Sequence, residues 1–289
     1  MLNVAVLGSN GQLGSDLKKT LTKSGLQCRF LTREDIEAEK SDFIEKLGIL
    51  QGADYVINCI SYHKTDECED FADKTFHING AFVYELSKYC AANGITLFHI
   101  STDYVFDGTK NSPYSETDRP QGLSMYGISK ISGEMAVQAH CQKYFILRVS
   151  SLFGEAGASG KGGNFVETMI KLAKNGTPLK VIADQMMAPT HTLDIARAIE
   201  AMISSKQTDY GIYNCCNSGS CSWYEFTKTI FDYAGIKADL SETTFAEYKT
   251  KAKRPKYSVL DNKKISKIYP MPHWQDALKE YLVLKGYIV

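Results

Sequence analysis

Along the first 150 residues, short runs of apolar and β-branched residues alternate with longer stretches whose apolar positions recur every three or four residues. The short runs suit strands buried on both faces, and the longer ones suit helices with one buried face. The pattern predicts strands at 3–7, 27–31, 55–59, 96–101 and 144–149. Helices are expected at 13–24, 72–93 and 124–140, the second ending in the stop signal Asn93-Gly94. Strand and helix in strict alternation describe an α/β fold, a doubly wound parallel sheet with helices on both faces.

After Ser150 the texture changes. Residues 154–163 hold five glycines among small polar residues and read as a ligand-facing loop or lid. A helix at 165–175, a strand at 179–183, a helix at 193–204, a strand at 212–216 and a helix at 222–234 follow, before a C-terminal portion holding most of the remaining prolines. Two units are expected: a dinucleotide-binding domain over 1–150 and a smaller, mainly helical substrate lobe over 151–289, interleaved with the sheet.

Composition narrows the partners. The chain has 289 residues, 44% of them hydrophobic, enough for a sizeable core. Its 33 basic residues balance 33 acidic ones without a long like-charge run, which argues against nucleic acid or a polybasic membrane contact and for a small molecule. No apolar run approaches the roughly 18 residues of a membrane helix. The N-terminal run passes straight into a glycine-rich turn without the features of a signal peptide. Eight scattered cysteines without a CxxC pair read as reduced thiols, and the cytoplasm is the expected location. The six histidines are dispersed, so no metal is expected; His63 and His191 alone lie in motifs that approach the pocket.

Gly8-Ser9-Asn10-Gly11-Gln12-Leu13-Gly14 follows the first strand and opens the first helix. In that position a glycine triplet binds a dinucleotide: Gly8 makes the turn, Gly11 admits the pyrophosphate, and Gly14 lets helix and strand pack closely. The fold is therefore expected to be Rossmann-like. At the end of the second strand Arg33 favours a 2′-phosphate and hence NADPH; Glu34 or Asp35 on the ribose would instead permit NADH.

Tyr126 and Lys130 lie four apart on a predicted helix and share a face. An ammonium beside a phenol, whose reference pKa is about 10, favours the phenolate and brings proton exchange with a carbonyl towards neutrality. Thr102, at the carboxyl end of the fourth strand, stands where open α/β sheets bind ligands and can donate to a substrate oxygen.

The blocks GSNGQLG, STDYVFDG, YGISKISGE, LRVSSLFG, GNFVETMIKLA, VIADQMMAPT, GIYNCCNSGSCSWYEF and KRPKYSVLDNKK resemble the extended short-chain dehydrogenase/reductases, and within them the dTDP-4-dehydrorhamnose reductase group, along nearly the whole chain. The resemblance implies NAD(P)H-dependent reduction of a nucleotide-linked 4-keto sugar. Tyr126 would be the acid at the C4 oxygen, Lys130 would lower its pKa and hold the nicotinamide ribose, and Thr102 would fix the carbonyl. It implies cofactor contacts from Asn10, Gln12, Leu13, Cys59, Ile60, Ser61, Tyr62 and Asn79, with Asn58 and Asp66 nearby. For the substrate it implies Asp103, Val105, Phe106, Ser151, Asn164, Gln185, Thr190 and Arg254.

Two positions depart from the family pattern: Ser151 stands where a tryptophan is frequent, and Met187 where a glycine is usual. Both touch the sugar pocket and leave the sugar open. An epimerase or dehydratase of the same family is the alternative activity, although Tyr104 stands where dehydratases carry a glutamate. A non-catalytic regulatory subunit is the alternative outside enzymes. The expected partners are a nucleotide-diphosphate sugar and a second copy of the chain in a homodimer.

Overall fold

The computed structural model describes residues 1–157 and 163–288; residues 158–162, the centre of the expected lid, and Val289 lie outside the described residues. Five strands form where the hydrophobic runs place them: β1 (Asn3–Leu7), β2 (Gln27–Leu31), β3 (Tyr55–Asn58), β4 (Thr96–Thr102) and β5 (Tyr144–Val149). With β7 (Gly211–Asn214) they make a sheet of order β7-β5-β4-β3-β1-β2, parallel throughout. The chain starts at β1, winds out to β2, then returns past β1 to β3, so the winding reverses between β1 and β3. The carboxyl ends of those strands are the position where such sheets form a ligand-binding crevice.

Helix α1 (Gln12–Thr22) leaves β1 directly, and a later helix, α6 (Thr192–Ser204), packs along it. Both sheet faces are closed by apolar side chains: Leu17, Phe98, Phe145 and Ile199 belong to one cluster, Phe82, Leu86, Leu97 and Ile146 to the other, all without exposed surface. Each such burial stabilises by about 1.5–3 kcal/mol. A third cluster, around Phe153, Phe226, Trp274 and Tyr281, is built from later segments. These are α5 (Phe165–Lys174), α7 (Trp223–Ala234), α8 (Trp274–Leu284) and a parallel pair of β6 (Leu179–Ile182) with β8 (Leu240–Thr243).

Some elements differ from the sequence reading, among them β8, where no strand is expected. The helix expected over 72–93 is α2 (Ala72–Phe76), a π-helical turn (His77–Ala81) and α3 (Phe82–Ala92). The π turn takes up one extra residue, and its Gly80 lies so close to Ser132 of the next helix that a Cβ would come within 2.8 Å of the Ser132 hydroxyl. Helix α8 was not anticipated. Its buried positions, Trp274, Ala277, Leu278, Tyr281 and Leu282, carry helical spacing directly behind two prolines, Pro270 and Pro272.

Helix α4 (Met125–His140), which carries Tyr126 and Lys130, is anchored to β5 by a buried ion pair. Arg148 and Glu134 are each 1% exposed, and their fork is bidentate, with Nε to Oε1 at 2.9 Å and Nη2 to Oε2 at 2.7 Å. Ser101 on β4 donates to the same Oε1 at 2.5 Å. Removing one partner leaves an uncompensated buried charge, so Arg148→Met is expected to lower the unfolding free energy in urea by about 3–5 kcal/mol. A loss below about 1 kcal/mol would mean that the pair is not desolvated as described.

Candidate active site

The turn between β1 and α1 has the geometry its glycines allow. Gly8 has φ +72°, a left-handed conformation that side chains rarely adopt, and a Cβ on Gly14 would come within 2.6 Å of the Ser9 Cα. Ser9 N–H donates to the Leu31 carbonyl at 3.0 Å, fastening the turn to β2. Helices α4, α5 and α7 start with Ser124, Asn164 and Ser222 side chains capping their first turns. Helix α1 starts at Gly11 with no side-chain cap and no acid in its first turn. Its amides and the positive end of its dipole remain available to an anion, so the turn fits a dinucleotide pyrophosphate. Asn10 is exposed beside the turn, whereas Gln12 and Leu13 are buried. Arg33 is exposed at the end of β2 and paired with Glu37, Nε to Oε1 at 3.1 Å; the Asp35 carboxylate is taken up by the Thr32 N–H at 2.8 Å.

Across the crevice, β4 ends at Thr102, which is buried and accepts from the Tyr104 N–H at 3.2 Å. Ser124 caps α4 by accepting from the Gly127 N–H, and Glu69 accepts from the Met125 N–H at 2.9 Å, so Tyr126 emerges in a fixed first turn. Its hydroxyl faces the Thr102 side chain, which acts on it against the effect of burial. Its ring meets Tyr104 edge-on at 5.9 Å, and the Tyr104 hydroxyl in turn reaches Arg254. Behind Thr102 lies the buried Asp103 carboxyl, which accepts from Thr102 at 3.1 Å and from Ser150 at 3.0 Å, with the Ser258 side chain facing it. Burial pushes its pKa up to about 6, against the lowering effect of those hydrogen bonds.

Lys130 is buried at 1% exposure; its Nζ donates to the Ile100 carbonyl at 2.6 Å and lies 3.4 Å from His99 Nε2. Burial lowers its pKa to about 8. The expected depression of the Tyr126 phenol is not what this structure has: burial raises it above its ordinary value, and Lys130 is turned onto the strand backbone instead. Asn79, in the π turn, is fully buried. It accepts from Ser61 Oγ at 3.2 Å and Tyr62 N–H at 2.9 Å, and donates to the Tyr62 carbonyl and to Ser129 Oγ at 3.0 Å each. It thus ties the Ser61-Tyr62 loop to the helix of Tyr126. Cys59 and Ile60 bridge β3 and that loop, packed against Gly8.

Several residues expected at the substrate are buried or bonded within the chain. Val105 and Phe106 have no exposed surface, and Phe106 stacks on Tyr114 at 4.1 Å in an apolar cluster, so their side chains do not reach the crevice. Thr190 is likewise fully buried, donating to the Ala188 carbonyl at 3.0 Å. Asn164 caps α5 and spends its amide on the Gly154 carbonyl at 2.8 Å and Tyr281 at 3.0 Å. Gln185 donates to the Pro255 carbonyl at 2.8 Å. Arg254 is partly exposed, with Nη2 2.7 Å from Asp66 and Nε without a partner. Ser151 is partly exposed with φ +44°, a strained value for a non-glycine residue. His191 is fully buried, stacked on Phe153 at 5.3 Å, with neither ring nitrogen bonded. Burial holds its pKa at about 4, and the ring is neutral.

Comparison with known proteins covers the full length. The model of the family described as RmlD substrate binding domain matches residues 2–285. The spore coat polysaccharide biosynthesis protein SpsK of Bacillus subtilis is 37% identical over 98% of this chain and 97% of its own. A dTDP-4-dehydrorhamnose reductase of Aggregatibacter actinomycetemcomitans is 35% identical over 96% of this chain and 98% of its own. The crystal structure of a dTDP-4-dehydrorhamnose reductase from Bacillus anthracis in complex with NADP is 33% identical and superposes with a TM-score of 0.90, covering 98% of this chain and 100% of that one.

Asp103 makes a pH test of this geometry. Its folded pKa, about 6, exceeds the ordinary 3.8, so its stabilising contribution is complete below about pH 3.8 and is lost as pH rises through about 6. Asp103→Asn removes that dependence. Whatever its constant offset, the variant should gain on the wild type by about 2 kcal/mol between pH 4 and pH 7 in denaturant titrations. A difference independent of pH would show that the carboxyl is ionised throughout.

Proposed function

Because the chain belongs to the RmlD substrate binding domain family, we propose that it reduces the 4-keto group of a nucleotide-linked 6-deoxy sugar, with NADPH as reductant. The observation that carries this reading is the juxtaposition of the Tyr126 hydroxyl and Thr102 at the end of β4, together with the uncapped N-terminus of α1 after β1. A proton donor and a phosphate cradle thus flank one crevice. NADPH, when bound, supplies the hydride to C4.

The chain's own residues supply the rest. Burial keeps the Tyr126 phenol protonated at neutral pH, the form a proton donor needs as negative charge develops on the C4 oxygen. Thr102 would turn its one hydroxyl hydrogen from Asp103 onto that oxygen. The Gly8–Gly14 turn would receive the pyrophosphate, Lys130 the nicotinamide ribose, and the Ser61-Tyr62 loop the nicotinamide side. Arg33 would exchange Glu37 for a 2′-phosphate. Residues 1–150 form most of the cofactor domain, which β7 and α6 complete, and the rest of 151–289 supplies the sugar-nucleotide lobe, where the unpartnered Arg254 Nε suits a diphosphate oxygen. Tyr104 argues against dehydration: burial raises its pKa to about 12, so it cannot act as the base that a glutamate provides.

The test is the loss of NADPH absorbance with dTDP-4-keto-6-deoxy sugar. Wild type should turn over, and Tyr126→Phe should lose about 10²–10⁴-fold in kcat while still binding NADPH. Full activity in the variant, or a wild type that binds NADPH without oxidising it, sinks the proposal.

A further inference from the structure

Neighbouring strands put Asn58 of β3 beside His99 of β4, and both are fully buried. The Asn58 amide has one orientation, because its Oδ1 accepts from the Ile60 N–H at 3.1 Å. Its Nδ2 therefore faces His99 Nδ1, at 3.3 Å, as a donor. A neutral imidazole that accepts at Nδ1 carries its proton on Nε2. That N–H points at Lys130 Nζ, 3.4 Å away. An ammonium has no lone pair with which to accept it, whereas an amine has one, and keeps hydrogens for the Ile100 carbonyl at 2.6 Å.

Helix α4 is shaped for this contact. Gly133 sits mid-helix, and a Cβ there would come within 3.2 Å of His99 Nε2 and 2.5 Å of the Asn79 carbonyl. The other groups facing Lys130 are Cys59 beyond β3 and Glu134 on its own helix. Burial raises the Cys59 thiol to about 12, leaving it neutral, and Glu134 is committed to Arg148. Burial, and then Lys130, hold His99 well below its ordinary value, so the ring does not take the proton itself.

We propose that, at alkaline pH, His99 is a positioning residue that holds Lys130 as an uncharged amine, folded back on the Ile100 carbonyl, until the nicotinamide cofactor binds and Lys130 takes up a proton. The second half rests on Lys130 as the cofactor-ribose contact; the resting state does not.

Two measurements separate the halves. In the cofactor-free wild type near pH 8.5, nitrogen-15 NMR of the histidines should give His99 as the Nε2–H tautomer, and the Nδ1–H tautomer overturns the proposal whatever the enzyme reduces. Titration calorimetry with NADP⁺ near pH 8.5, in buffers of different ionisation enthalpy, then counts protons. With a pKa of about 8, Lys130 is about one quarter protonated there, so uptake of roughly 0.7 proton is expected. Binding without uptake overturns the coupling, and so does uptake that survives Lys130→Met undiminished. His99→Gln can still accept from Asn58 and donate to Lys130 and should keep the uptake; His99→Phe, which leaves the burial of Lys130 in place, should lose part of it. Equal uptake in the two removes His99 from the account. Absence of NADP⁺ binding in the wild type would instead fell the reductase reading and the coupling together, with the tautomer still deciding the resting state.

Discussion

The Arg148-Glu134 pair locates the helix on which Tyr126 and Lys130 stand. Arg148 also reaches the Glu116 carbonyl at 3.4 Å and lies over the Phe106 ring at 5.1 Å, while the Glu116 carboxylate takes the Asn214 N–H at 3.0 Å. One guanidinium thus fixes the relative positions of α4, β5, β7 and the loop that follows β4. Desolvating two charges for this purpose is a poor route to stability, since apolar residues of similar volume can do as well. What the pair adds is direction: a fork meets a carboxylate in one plane, and a helix seated that way has little freedom to slide or roll.

The opposite side of α4 is set by close approach. Glycines at 80 and 133 let the π turn and β4 come nearer than side chains would permit, and polar groups fill the gaps with hydrogen bonds. Asn79, Ser129 and His99 are spent in this way. Side-chain polarity around the crevice thus mostly holds the frame, and the groups left open to a ligand are few: the first turn of α1, the Tyr126-Thr102 edge and part of Arg254.

Hydrophobic period is a local property, which is why the strands of the first half were legible from the chain alone. The π turn was not, because one residue more within a helical pattern alters neither composition nor the apolar spacing on either side. Tyr126, Lys130 and Thr102 could be picked out by helical spacing and by position at a strand end. Val105, Phe106 and Thr190 lie in the same motifs yet face inward, since proximity in sequence does not say where a side chain points. His99 and Glu134 gave no local signal: the meaning of the first depends on strand register, and that of the second on a partner 14 residues away. The expected effect of Lys130 on Tyr126 took account of charge but omitted burial, which acts on both groups and dominates each.

The π turn also sets what changes of length the chain can absorb. Successive residues of an α-helix are rotated by about 100°. Deleting one residue between 77 and 81 would restore regular pitch, but it would swing either Asn79 away from Ser129 or the face of Phe82, Val83, Leu86 and Cys90 away from the core. Substitutions in this segment can be judged one side chain at a time. A deletion cannot, because it trades the seating of the catalytic helix against the packing of a sheet face, and no single compensating replacement restores both.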